Sequence, residues 1–231
     1  LSWKRPGALT VTPEVPGGGP PKPAERIAVA RRTDESGRMD AQTRRTYLDA
    51  AAALAAADFD DAVGQYALAN ETALRFVMQT HPAIPERPLV IVGCSFGAIM
   101  SPTVAARLTE SGLRPEAVVL IGGGTNFLKI AGSSWMDYYY SRAPGLAAAE
   151  LHLTVNERKT VTAGYLERST LDPYHTAPEL RDEKVLILHA SMDDIVPAST
   201  ADDLWDRAGR PERWIWNFGH LFIFAALPWK V

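Results

Sequence analysis

The chain is short of cysteine, of long apolar runs and of any charge imbalance. Its one cysteine, Cys94, excludes an internal disulfide, so cysteine usage assigns no redox compartment. No apolar run approaches the roughly 20 residues that cross a bilayer as a helix, so no membrane span is expected. Lys and Arg number 24 against 27 Asp and Glu, a formal charge of -3, which argues against a nucleic-acid footprint. Arg31-Arg32 and Arg44-Arg45 are isolated pairs, read as solvated faces. His81, His152, His175 and His189 have no metal-ligand spacing, and a structural role is expected for each. Gly122-Gly123-Gly124 lacks a following Gly-Lys-Ser/Thr, which excludes a phosphate loop. No internal repeat is visible. The chain starts at Leu1 and no signal peptide is legible, so the compartment stays open: a soluble protein, cytoplasmic or exported after signal removal. The 231 residues, 46% hydrophobic and 22% charged, suit one globular α/β domain.

What is present centres on Leu89-Val90-Ile91-Val92-Gly93-Cys94-Ser95-Phe96-Gly97-Ala98-Ile99-Met100. A β-branched run, the pattern of a strand buried on both faces, breaks at Gly-x-Ser-x-Gly and continues as a helix former. This is the pattern of a nucleophile elbow, which exposes a serine on a sharp strand-to-helix turn. Side chains at Gly93 and Gly97 are expected to collide with the neighbouring strand and helix. The five-residue pattern alone occurs by chance about 0.1 times in a chain of this length; the flanking elements make it specific. Cys94, one position from the serine, is expected to point away from the site and to be buried.

The rest of the chain reads as alternating strands and helices. Ala8–Thr12 and Arg26–Arg31 have strand patterns and flank a Pro/Gly loop, Pro16 to Pro21. Helices are expected over 41–57 and 60–80, the second with Val63, Tyr66, Ala67, Leu74 and Val77 as a core stripe. Ala117–Ile121, Val185–His189 and Arg213–Asn217 read as further strands, and Ser199-Thr200-Ala201-Asp202 as a capping box closed downstream by Gly209. Such alternation predicts a doubly wound, mostly parallel sheet, whose reactive groups gather at the carboxyl ends of strands. Ser95, Asp193 and His220 all fall there, in that order. A serine hydroxyl needs an imidazole to take its proton, and the imidazole needs a carboxylate to orient it.

Ser95 in Gly-Cys-Ser-Phe-Gly, the Asp193-Asp194-Ile195-Val196-Pro197 turn and Gly219-His220 together resemble the triad motifs of the α/β-hydrolase superfamily, in its serine esterase and lipase branch. The match runs from about Leu89 to the C-terminus. The resemblance implies an α/β-hydrolase fold in a single domain over 1–231, with reduced N-terminal strands and a lid or cap insertion at 127–184. It implies Ser95 as nucleophile, His220 as base and Asp193 as acid, with Asp194 the alternative acid. The N–H of Phe96 would be one oxyanion donor, and Gly17 or Gly18 the second, unless that donor lies near Thr33 to Gly37. Trp135 and Tyr139 in the insertion are candidates for an apolar acyl pocket. The implied activity is cleavage of a small-molecule carboxylic ester, carboxylesterase-like, without metal or organic cofactor. Acyl transfer, amide or peptide cleavage, lactone opening, perhydrolysis and a catalytically silent binding protein are the alternatives. Oligomeric state is not addressed by the sequence.

Overall fold

Among the described residues four short runs, largely apolar in the first three, pair into one parallel sheet whose order follows the chain. The computed structural model describes residues 40–81, 88–132 and 153–230. The N-terminal strand patterns, the Pro16 to Pro21 loop with Gly17 and Gly18, the 33–37 turn, and Trp135 and Tyr139 lie outside the described residues. In chain order the elements are α1 (Ala41–Thr80), β1 (Val90–Cys94), α2 (Phe96–Glu110), β2 (Ala117–Ile121), α3 (Phe127–Ala131), α4 (Val155–Arg168), α5 (Pro173–Thr176), a 3-10 turn (Ala177–Leu180), β3 (Lys184–Ala190), α6 (Ala198–Arg207), β4 (Glu212–Trp216) and α7 (His220–Lys230). Every strand pair is parallel, with Ile91 beside Val118, Val118 beside Val185 and Ile187 beside Arg213.

Helices cover the sheet from both sides, which makes it doubly wound. Val118, Leu120, Val185 and Ile187 face one layer, where Ala98 and Ala105 of α2 and Leu204 and Ala208 at α6 pack on them. Their neighbours in the strands, Val119, Ile121, Leu188 and Ala190, face the other layer and meet Ile223, Phe224 and Leu227 of α7. Alternate residues pointing to opposite faces are both apolar because both faces are covered. At β1 the expected burial on both faces does not hold. Val90, Val92 and Cys94 share one face and are exposed, while Ile91 packs on the other side. Among the described residues β1 is the edge strand, paired with β2 alone, and no described element covers that face. Cys94 is therefore exposed and not buried.

The two early helices expected from the sequence are one, α1, 40 residues long and about 60 Å by helical rise. Asp60, at the expected start of the second helix, lies inside α1 and bonds to a distant turn. Its carboxylate accepts from Ser169 Oγ (2.6 Å), Thr170 N (2.7 Å), Thr170 Oγ1 (2.9 Å) and Leu171 N (3.1 Å). No proline interrupts 41–80, and the helix runs on through Asp58-Phe59-Asp60-Asp61. Its alanine run, with Ala51, Ala52, Ala55 and Ala56 buried, lets α4 come close: a Cβ on Gly164 would sit 3.0 Å from that of Ala52. Arg44 of α1 pairs with Glu157 of α4 and, by that contact first, holds the Glu157 carboxyl down to about 2. Of the expected core stripe, Val63 and Ala67 are buried, but Tyr66 and Val77 are exposed on its flank.

Two further expectations change. Ser199-Thr200-Ala201-Asp202 does not form a capping box: α6 starts at Ala198 behind Pro197 with no side-chain cap. Thr200 Oγ1 donates to Pro197 O (2.8 Å), Ser199 Oγ accepts from Lys129 Nζ (3.0 Å), and Asp202 is taken by Arg213 (2.6 Å). Gly209, at φ 86°, does close the helix, with Arg210 N donating back to Trp205 O (2.9 Å). Of the expected 127–184 insertion, residues 133–152 lie outside the described residues; the remainder is built into the core, with Val161, Tyr165, Ala177 and Leu180 buried.

Asp60 ties a turn more than a hundred residues away to the middle of α1. Asp60→Ala leaves four donors without their acceptor and is expected to lower unfolding free energy by about 1–3 kcal/mol, read from urea denaturation; a loss under about 0.5 kcal/mol would contradict this.

Candidate active site

β1 ends at Cys94 and α2 begins at Phe96, so Ser95 alone makes the turn. Its backbone sits at φ 51° and ψ -118°, a conformation that costs a non-glycine residue about 1–3 kcal/mol. Hydrogen bonds hold it there. Ser95 N–H donates to Ile121 O at the end of β2 (2.8 Å), and Ser95 C=O accepts from Ala98 N (2.9 Å) and Ile99 N (3.2 Å). Gly93 provides the space: a Cβ there would lie 2.3 Å from Ser101 Oγ and 2.6 Å from Gly97 O. The collision is with α2 and not with a strand. Gly97 differs from expectation, since a Cβ there meets nothing within 4 Å.

The turn aims the hydroxyl at an imidazole. Ser95 Oγ lies 2.8 Å from His220 Nε2, across 125 residues of chain. His220 Nδ1 in turn lies 2.6 Å from Asp193 Oδ2. The side chains of His220 and Asp193 are each only 3% exposed. Asp193 Oδ1 also accepts from Ile195 N (2.9 Å) and Val196 N (2.7 Å), an Asx-type turn that fixes the carboxylate. The carboxylate against His220 is thus that of Asp193. Phe224 packs edge-on against the imidazole, with centroids 5.3 Å apart. A parallel, doubly wound sheet now carries a strained serine between strand and helix, with an acid and an imidazole after two later strands. This is a doubly wound α/β fold.

In this fold the first-turn N–H of Phe96 points out of α2 without an intrahelical acceptor, as helix starts require. Among the described residues it has no other hydrogen-bond partner. The proposed second donors, Gly17 and Gly18, lie outside the described residues, as do Trp135 and Tyr139. Among the described residues no cluster of three or more His, Cys, Asp or Glu is disposed to hold a metal ion. No helix among them is long and apolar enough to cross a membrane.

Sequence reasoning missed the loop after β2. Gly122, at φ 64°, leaves the room His220 occupies: a Cβ there would be 3.2 Å from His220 Cε1. Gly123 abuts Ala98 of α2, and Gly124 abuts Val196 and Thr200 beyond the Asp193 turn, at 2.7, 2.9 and 2.5 Å for added Cβ atoms. The triple glycine was legible; what it packs against was not. Phe127, just beyond, meets Phe96 with ring centroids 5.5 Å apart. His189 is buried on the α6 side of β3, where its Nδ1 accepts from Arg213 Nε (3.0 Å). Burial, and then the Arg213 charge, push its pKa below the usual 6.5.

No family model matches the chain. Over 49 residues it is 37% identical to an uncharacterized protein, YdjC, of Bacillus subtilis strain 168; the match takes in 21% of this chain and 42% of that protein. The chain therefore spans less than half the length of the curated protein it matches. Among solved structures it is similar to an acylaminoacyl peptidase of Pyrococcus horikoshii (17% identity, TM-score 0.48, 67% of this chain, 23% of that one). It is similar as well to an esterase of Pyrococcus furiosus (12%, TM-score 0.48, 71% and 56%) and to the type II thioesterase BorB of the borrelidin biosynthetic cluster (17%, TM-score 0.43, 71% and 65%). These are similarities of backbone arrangement.

The two glycines of the elbow should respond differently to alanine. Gly93→Ala forces a methyl into Ser101 and the Gly97 carbonyl and is expected to cost about 2 kcal/mol or more. Gly97→Ala should stay within about 0.5 kcal/mol by chemical denaturation; equal losses would contradict the packing described. His189 gives a pH test. Its folded-state pKa is lowered, so its stabilising contribution is complete above the ordinary value of 6.5 and is lost as pH falls through the lowered one. Between about pH 7.5 and about pH 5.5 the unfolding free energy should fall more steeply in the native protein than in His189→Gln, and equal slopes would refute it.

Proposed function

We propose that this protein is a serine hydrolase that cleaves carboxylic esters through an acyl-enzyme on Ser95. One observation carries the reading: the unbroken contact from Ser95 Oγ to His220 Nε2 (2.8 Å) and from His220 Nδ1 to Asp193 Oδ2 (2.6 Å). His220, as general base, takes the hydroxyl proton as Oγ attacks the ester carbonyl carbon. The imidazolium that forms is stabilised by Asp193, whose carboxylate also holds the ring in the tautomer with the proton on Nδ1. The carbonyl oxygen becomes an oxyanion, for which the Phe96 N–H is a preorganised donor at the start of α2. Collapse of the tetrahedral intermediate breaks the bond to the alcohol, and the proton held at His220 Nε2 goes to the leaving oxygen. Water, deprotonated by the same imidazole, then releases the acid and restores Ser95.

Burial supports the assignment of roles. Removing His220 and Asp193 from water strengthens their mutual attraction, while Ser95 stays reachable at the turn. The strain at Ser95 fits the same reading, since an off-region backbone held by surrounding contacts presents the hydroxyl without a reorganisation step.

An alkyl fluorophosphonate is expected to label Ser95, seen by mass spectrometry as an adduct on its peptide, and Ser95→Ala should abolish turnover of p-nitrophenyl esters. Undiminished turnover in that variant would sink the mechanism. Absence of labelling in folded protein would favour a catalytically silent, ligand-binding role.

A further inference from the structure

Among the described residues the most deeply buried carboxylate outside the contact just described is Asp172, with no exposed surface, at the start of α5. Its Oδ1 accepts from Asn126 N (2.8 Å) and Tyr174 N (2.8 Å), and its Oδ2 from Phe127 N (2.8 Å) and Tyr165 O–H (2.7 Å). None of these four donors is a cation. Burial, and then the adjacent carboxylate, push the Tyr165 phenol well above its ordinary pKa, which keeps it a donor. A buried carboxylate compensated only by neutral donors is an expensive way to start a four-residue helix. Capping α5 uses one of its bonds, that from Tyr174. The other backbone bonds reach back 46 and 45 residues to the loop after β2.

That loop, Gly122 to Phe127, lies against His220 itself and against residues next to Ser95 and Asp193. Gly122 faces His220, Gly123 faces Ala98 of α2, and Gly124 faces Val196 and Thr200 behind the Asp193 turn. Thr125 N donates to Thr200 O (3.0 Å), and the Phe127 ring rests on Phe96. Three consecutive glycines carry no side chains to hold themselves, and glycine loses the most conformational freedom on ordering. The loop is therefore held by the Thr125 bond to Thr200 O and at its two ends. β2 anchors the first. At the second, Asn126 is in the left-handed region (φ 58°), and both its N–H and that of Phe127 end on one carboxylate.

We propose that Asp172 is a positioning residue of this site: by fixing the far end of the Gly122 to Phe127 loop it sets the relative placement of Ser95, His220 and the Phe96 N–H. The inference rests on the reading of Ser95 as the nucleophile. Asp172→Asn keeps the shape but replaces one acceptor oxygen by an N–H that opposes the loop's own N–H groups. Misplacement of reacting groups by about 1 Å is worth up to about a hundredfold in rate. The test compares fluorophosphonate labelling rates at Ser95, normalised to folded fraction by circular dichroism, in native protein, Asp172→Asn and Tyr165→Phe, with amide exchange followed over residues 122–127. In Asp172→Asn, labelling should slow about tenfold or more, kcat for a p-nitrophenyl ester should fall with KM within about threefold, and the Asn126 and Phe127 amides should exchange faster. Tyr165→Phe removes one donor and keeps the carboxylate; it gives a second reading if Asp172→Asn does not fold, with labelling slowed about two- to fivefold. Labelling within about twofold of native in the folded variants, or a loss that vanishes on normalisation, would overturn the proposal. If the native protein is not labelled, the hydrolase reading itself fails. Equal labelling of native and variant removes only the role given to Asp172.

Discussion

The backbone at Ser95 occupies a conformation that a serine does not adopt unless its surroundings demand it. The demand comes from two sides. The Ser95 N–H continues the parallel ladder onto Ile121 O, so the residue is still tied to β2 while its own carbonyl already starts α2. The absence of a side chain at Gly93 lets α2 lie back against β1 closely enough to close that turn. Everything that surrounds the serine inherits this closeness. Gly123 is bare because Ala98 of α2 sits where a Cβ would be, and Gly122 is bare because His220 has come in over the end of β2. Around the serine the packing is largely backbone against backbone.

Charge is handled by the same economy. Asp193 and Asp172 are both buried carboxylates in the loops around β2 and β3, and both are held mainly by N–H groups, not by lysine or arginine. Asp193 keeps one oxygen for the imidazole. Asp172 gives both oxygens to the fold. Arginine works at the periphery instead, where Arg213 joins His189 to Asp202 and Arg44 joins α1 to α4.

Much of this was legible in the sequence, for identifiable reasons. The strands at Ala117–Ile121 and Lys184–Ala190 are central, so continuous apolar runs betray them, and the residues that follow strands are the ones the fold brings together. Ser95, Asp193 and His220 stood out because each follows such a run within a turn signal. What stayed hidden depends on distant partners. Asp60 looks like a helix start, but its hydrogen bonds go to Ser169, Thr170 and Leu171. Cys94 and Val92 look like core, but their face of β1 is not covered by any described element. Asp172 precedes Pro173 and reads as an ordinary turn, since nothing local reveals that Asn126 and Phe127 will meet it.

The sheet is ordered along its width in the same sequence as along the chain, β1 to β4. During synthesis, parallel pairing can therefore be added one strand at a time, each new edge accepting the next segment to emerge. The Ser95 turn is complete once β2 supplies the Ile121 carbonyl. Its imidazole is 125 residues further on and joins only after β4 has been laid down. A nascent chain holding β1 to β3 thus carries a shaped but unactivated serine, and the hydroxyl gains its base only as α7 docks.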